Sequence, residues 1–206
     1  MNNNVISIDL AKNVFQVCVL NEHRVPTLNK KVTRANLLKV VAKLEPHRIV
    51  MEACYSSNYW GRVFQALGRE VKLIPPHQVK PFVVGNKNDS NDALAIAEAS
   101  FRPKIVFVPV KTVDQQDLQS LHRIRDRLIK SRTALANQMH GLLSEYGVVI
   151  PVRLSSLRRE VPFIVEDAEN SLSTVARSFV NELYRELDPL VPEGVQLVER
   201  DDAIGQ

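Results

Sequence analysis

The sequence predicts an α/β fold, a mixed five-stranded sheet with flanking helices followed by a long helical segment. Three observations predict it: three successive β-rich runs at the N-terminus, an alternation of strand-like and helix-like stretches from residue 34 to 100, and a leucine repeat close to 3.5 residues from Thr112 onward.

Val5, Ile6 and Ile8 lead to Asp9, Val14 to Leu20 is a second run of β-formers, and Val25 to Thr33 a third, which together suggest an antiparallel meander. After Arg34 the apolar spacing becomes helical through Leu37, Leu38, Val41 and Leu44, and Pro46 is expected to end that helix. Residues 48 to 53 read as a buried strand. Ser56 or Ser57 is a candidate N-cap for a helix carrying Trp60, Phe64 and Leu67, which Gly68 stops. Val71 to Ile74 forms a further strand ended by Pro75 and Pro76. A turn-rich stretch from Gly85 to Asn91 then precedes a helix from about Asp92 to Ser100.

From Thr112 to Tyr146, Leu121, Leu128, Leu135 and Leu142 stand seven apart, with Leu118, Met139 and Tyr146 between them, so one long helix is predicted. Arg125 and Arg132 interrupt its seam. A second helix is expected over about Phe163 to Leu190, with Pro151 and Pro162 bracketing the connection. The pair can close as a hairpin within one chain or by exchange between two. The division expected is residues 1–110 for the sheet domain and 111–206 for the helical, coiled-coil segment.

No apolar run approaches the roughly 18 residues that span a bilayer. Cys18 and Cys54 are the only cysteines, form no CxxC pair and lie in apolar runs, which fits a reducing cytoplasm. The net charge of +4 hides an asymmetry. Residues 1–110 hold 15 Lys and Arg against 8 Asp and Glu, and residues 111–160 hold 9 against 5. Residues 161–206 hold only 3 against 10. The first two segments can face a polyanion and the last repels one.

Two carboxylates stand where a sheet normally wants aliphatic side chains. Asp9 ends the first strand and Glu52 follows Ile49, Val50 and Met51. Burying either unpaired is expensive, and two such charges at adjacent strand ends repel unless a cation lies between them. Hard oxygen ligands suit Mg²⁺, with Mn²⁺ as a substitute. Asp89 and Asp92, three apart at a helix start, can point the same way, although an Asp there often caps the helix instead. The five histidines show no metal-ligand spacing, and no Gly-rich phosphate loop is present.

Three stretches taken together, Ile8-Asp9-Leu10-Ala11-Lys12, Met51-Glu52-Ala53 with Tyr59-Trp60 and Leu67-Gly68, and Lys87-Asn88-Asp89-Ser90-Asn91-Asp92-Ala93 before Ile96-Ala97, resemble a known family. It is the DEDD-type transposases of bacterial insertion sequences, which include a pilin-gene invertase and bridge-RNA-guided recombinases. Asn88 stands where that family usually has Thr. The resemblance implies an RNase H-like, RuvC-type domain followed by a coiled-coil segment, with Asp9, Glu52, Asp89 and Asp92 as catalytic metal ligands for Mg²⁺. It also implies DNA and a guide RNA as partners, a homodimer or higher oligomer formed through the helical segment, and a second domain with a serine nucleophile that this chain would lack. Ser56 and Ser57 are read as helix-cap residues, not as that serine.

The nucleic-acid contacts expected are Lys12, Lys87, Arg123, Arg125, Arg127, Lys130 and Arg132, the last five covering much of one helix surface. Tyr59 and Trp60 can stack on a base, but their helical spacing with Phe64 favours core packing. The alternatives are a Holliday-junction resolvase-like endonuclease and a non-catalytic nucleic-acid-binding scaffold.

Overall fold

In the computed structural model, residues 4–45, 48–83 and 89–187 are described, Asp89 by its backbone alone. The chain divides into two compact units, Met1–Gln116 and Asp117–Gln206.

In the first unit, β1 (Val5–Asp9), β2 (Val14–Leu20) and β3 (Pro26–Thr33) form the antiparallel meander that their alternating β-branched residues predict. Next come α1 (Leu37–Ala42), β4 (Arg48–Glu52), α2 (Ser57–Ala66) and β5 (Glu70–Ile74). The strand order is β3-β2-β1-β4-β5, with β4 parallel to both β1 and β5. This mixed sheet, antiparallel on one side of β1 and parallel on the other, has the RNase H-like arrangement.

Each face of the sheet has its own cover. Ile6, Ile8, Phe15, Val17, Ile49, Met51 and Leu73 pack on one face with Leu37 and Val41 of α1 and with Trp60 and Phe64 of α2. Residues of opposite parity, Val5, Val50 and Ile74, pack on the other face against Ala95, Ile96 and Ala99 of α4 (Asp89–Ser100), while Cys18 and Leu20 meet its Ala93 and Ala97. Small side chains on α4 allow its backbone to lie close to the sheet.

Several boundaries differ from the sequence expectation. α1 stops at Ala42 rather than at Pro46, which lies outside the described residues; the Arg69 guanidinium takes the carbonyls of Val41 at 3.3 Å and Leu44 at 2.5 Å and ends the helix there. Gly68, at φ +74°, does end α2. Its N–H reaches the Gln65 carbonyl and the Arg69 N–H reaches that of Phe64, a paired C-terminal cap. Pro75 and Pro76 end β5 but also open a short helix, α3 (Pro76–Val79), and a 3-10 turn at Lys80–Phe82, neither predicted. α4 begins at Asp89, three residues before the predicted start.

The segment after α4 runs beside β5, bridging Val108 to Leu73, and is clasped by α2. Asn58 Oδ1 accepts from Lys111 N–H, and Arg62 donates to Lys111 O and Gln116 Oε1 at 2.8 and 2.9 Å. Gly61 faces Val110 so closely that a Cβ there would lie 2.7 Å from Val110 Cγ2.

In the second unit, α5 (Val113–Glu145, which begins in the first unit) forms over the predicted length. Its buried line is Leu135, Met139 and Leu143, spaced by four, and not the leucine seam seven apart; Leu121 is exposed. The predicted single helix over 163–190 is instead two, α6 (Leu154–Glu166) and α7 (Thr174–Leu187). Asn170 donates to Ile164 O, and Arg177 to Val165 O, so the end of α6 is capped; Ser173 Oγ accepts from Ala176 N–H at the start of α7. Residues 188–190 lie outside the described residues. Pro162 sits inside α6, not before a helix. It cannot donate to the Arg158 carbonyl four residues back, and the Tyr184 hydroxyl of α7 supplies that bond at 3.1 Å.

Two outcomes follow from this packing. Gly61→Ala, ordinarily stabilising in a helix, is expected to lower stability by about 1–3 kcal/mol through overpacking on Val110, measured by urea denaturation. Tyr184→Phe is expected to cost about 1 kcal/mol, and less in a Pro162→Ala background, where the Arg158 carbonyl regains its helical donor; equal costs in both backgrounds would disprove the link.

Candidate functional site

Asp9 is the last residue of β1 and Glu52 the last of β4. The parallel register between these strands runs from Val5 opposite Arg48 to Ile8 opposite Met51, so Asp9 and Glu52 are the next pair along. Neighbouring strands lie about 4.8 Å apart, and residues at matching positions present their side chains to the same face. Ile8 and Met51 belong to the face covered by α1 and α2. Asp9 and Glu52, one residue on, belong to the face covered by α4. Both are half-buried.

The N-terminal end of α4 is held against that face by polar contacts. Ser7, fully buried and two residues before Asp9, donates from Oγ to the Ala93 carbonyl at 2.7 Å. Asn29 of β3 donates from Nδ2 to Ser90 Oγ at 2.7 Å and to Ser90 O at 3.3 Å. Gln16 of β2, the cross-strand neighbour of Asp9, donates in turn to Asn29 Oδ1 at 2.5 Å. The helix residues so tied, Ser90 and Ala93, alternate with the acidic positions 89 and 92.

Asp92 is half-buried in the first turn of α4, where a negative charge also suits the helix dipole. Asp89 is the first residue of that helix, and its side chain lies outside the described residues. Among the described residues, no three His, Cys, Asp or Glu side chains are grouped closely enough to hold a metal ion. The structure therefore brings Asp9 and Glu52 together and ties the helix bearing Asp89 and Asp92 to the same face.

The basic residues fall in different places. Lys12 is exposed in the β1–β2 turn, where its carbonyl accepts from Arg34 at 3.4 Å. Lys87 lies outside the described residues. Arg123, Arg127 and Lys130 are exposed on α5 at spacings of four and three, while Arg125 and Arg132 are half-buried. Arg132 lines an open groove within the second unit together with His140 and Arg153.

Trp60 is core, 5% exposed, edge-on to Phe15 at 5.4 Å and stacked on Phe64 at 5.7 Å, while Tyr59 is exposed. Ser56 precedes α2 without making a side-chain cap bond; Ser57 Oγ instead accepts from Cys54 N–H and donates to Cys54 O. Burial pushes the Cys18 thiol above its ordinary pKa, with a hydrogen bond to Ser7 opposing that shift. Sequence reasoning missed Ser7, Gln16, Asn29 and Ser90. The signal was present for Ser7 and Gln16, polar residues at the parity of Asp9 inside apolar strands.

The family model described as "Transposase", of the DEDD type of IS110 elements, matches residues 6–148. The transposase for insertion sequence element IS1111A of Coxiella burnetii is 43% identical over 201 residues, 98% of this chain and 52% of that protein. A probable family 20 transposase of Pseudomonas aeruginosa is 46% identical over 149 residues, 72% of this chain and 44% of that protein. The chain thus spans about half the length of the curated relatives it matches. A structure of Thermus thermophilus RuvC is similar over 51% of this chain and 99% of that one, at 17% identity and a TM-score of 0.40. By the extent of the family match, the chain belongs to the DEDD transposases of the IS110 type.

Proposed function

We propose that this chain provides the metal-dependent carboxylate centre of an insertion-sequence transposase that cuts and rejoins DNA phosphodiesters. The observation that carries the reading is the parallel β1–β4 register, which ends both strands in a carboxylate on the face where α4 begins. In this reading residues 1–110 form the catalytic domain and residues 111–206 the helical segment.

The donor set fits a hard divalent cation. Asp9 and Glu52 offer carboxylate oxygens from neighbouring strands, and the buried amide oxygen of Gln16, beside Asp9, has no hydrogen-bond partner among the described residues. Asp9, Glu52, Asp89 and Asp92 would hold Mg²⁺, or Mn²⁺ in its place. When bound, such a cation offsets charge on the scissile phosphate and favours deprotonation of the attacking group. The chain's own part is positional. The sheet fixes the spacing of Asp9 and Glu52, and Ser7 and Asn29 fix the start of α4 against them.

Lys12 and Lys87 are assigned to phosphate contacts near the carboxylates. Arg123, Arg125, Arg127, Lys130 and Arg132 are assigned to the backbone of DNA or of a guide RNA. Leu118, Leu121 and Ile124, exposed on the first half of α5, are the surface assigned to pairing of chains. The attacking serine that the family resemblance calls for is not assigned to Ser56 or Ser57, whose surroundings are those of a helix start.

Asp9→Asn is expected to reduce DNA excision by about a hundredfold or more in a chain that still folds by circular dichroism. Undiminished excision would remove Asp9 from the centre. For the basic helix, the combined change of Arg123, Arg127 and Lys130 to Ala is expected to flatten the dependence of log affinity on log salt by about 1 for each phosphate no longer neutralised. An unaltered slope in a filter-binding titration would assign that face to solvent.

A further inference from the structure

Gln16 interrupts the apolar run of β2, is 5% exposed, and lies on the α4 face of the sheet as the cross-strand neighbour of Asp9. The orientation of its amide follows from its partners. One terminal atom of Asn29 contacts both the hydroxyl and the backbone carbonyl of Ser90. A carbonyl only accepts, so that atom is the Asn29 NH₂, and the Asn29 oxygen faces Gln16. Gln16 therefore gives its NH₂ to Asn29, which leaves Oε1 for another partner. That oxygen is buried and has no hydrogen-bond partner among the described residues.

A buried amide oxygen is normally matched by a donor. Here the neighbour across the strand is a carboxylate, a second acceptor when ionised. A buried amide oxygen that lacks a donor, placed across the strand pair from a half-buried carboxylate, is a hard-oxygen arrangement that suits a divalent cation. We infer that Gln16 Oε1 is a further, neutral oxygen ligand of the divalent cation held by Asp9, an inference that rests on the metal reading above. An amide oxygen adds a ligand without adding negative charge to a face that already carries Asp9 and Glu52. The same side chain, through Nε2 and Asn29, ties the cation to the first turn of α4.

The test is Mn²⁺ binding to the 206-residue chain, read by electron paramagnetic resonance of free Mn²⁺, with circular dichroism melts to verify folding. Gln16→Leu is expected to weaken Mn²⁺ binding by about tenfold or more. Gln16→Glu, which keeps an oxygen in place and adds charge, is expected to bind more tightly than wild type. Asn29→Leu, which removes the Nε2 partner and the tie to Ser90 but leaves Oε1 in place, is expected to weaken binding less than Gln16→Leu does. Wild-type affinity in Gln16→Leu, together with abolished binding in Asp9→Asn, overturns the role of Gln16 and leaves the metal reading standing. Equal weakening in Asn29→Leu and Gln16→Leu overturns ligation in favour of helix placement. Mn²⁺ binding that survives Asp9→Asn overturns both readings. If Gln16→Leu does not fold, Gln16→Glu decides alone, and affinity no greater than wild type overturns the inference.

Discussion

The parallel pairing of β1 with β4 is the constraint on which the rest of the site depends. It stacks two strands so that their C-terminal residues, Asp9 and Glu52, fall side by side on one face. The other end of the parallel strands is arranged differently. There Glu70 lies 3.1 Å from Arg48 and 3.4 Å from Lys72; burial alone would raise its pKa, but these two cations hold it below the ordinary carboxylate range. One end of the sheet thus joins acid to base, and the other gathers acids. A fold stabilised only by burial has no reason to end adjacent strands this way.

How α4 meets that acidic end is a matter of small residues and buried polar groups. Its alanines allow close approach to the sheet, and Ser7 fixes its height by a bond to the backbone of Ala93, independent of side chains on the helix. Gln16, Asn29 and Ser90 then tie its first turn to the antiparallel side of the sheet. The acidic positions of the helix are therefore referred to both the parallel and the antiparallel halves of the sheet.

Most of the strands were legible in the sequence because burial on both faces gives near-continuous apolar runs, and Asp9 and Glu52 stood out because each ends one. The missed features share a physical cause: each is decided by an interaction distant in sequence. α1 ends where Arg69 reaches its carbonyls, and α6 tolerates Pro162 because Tyr184 replaces the missing donor. The division between α6 and α7 lies in a polar stretch, 167–171, over which an apolar stripe can still be drawn, and it took Asn170 and Arg177 to turn that stretch into caps. The leucines seven apart on α5 mark a real helix, but burial follows the four-residue line of Leu135, Met139 and Leu143 set by α6 and α7.

The β1–β4 register also has a consequence for how the molecule is made. Its partners are more than forty residues apart in sequence, and α4 lies well beyond β4 in the chain. During synthesis the meander of β1 to β3 emerges first and pairs through local contacts, while Asp9 stays hydrated at a strand end with no second carboxylate near it. Glu52 arrives only after a long loop has closed, a slow step in chains with distant contacts. The helix with the remaining acids comes later still. Order of emergence from the ribosome thus keeps the like charges apart until most of the apolar surface that forces them together is available.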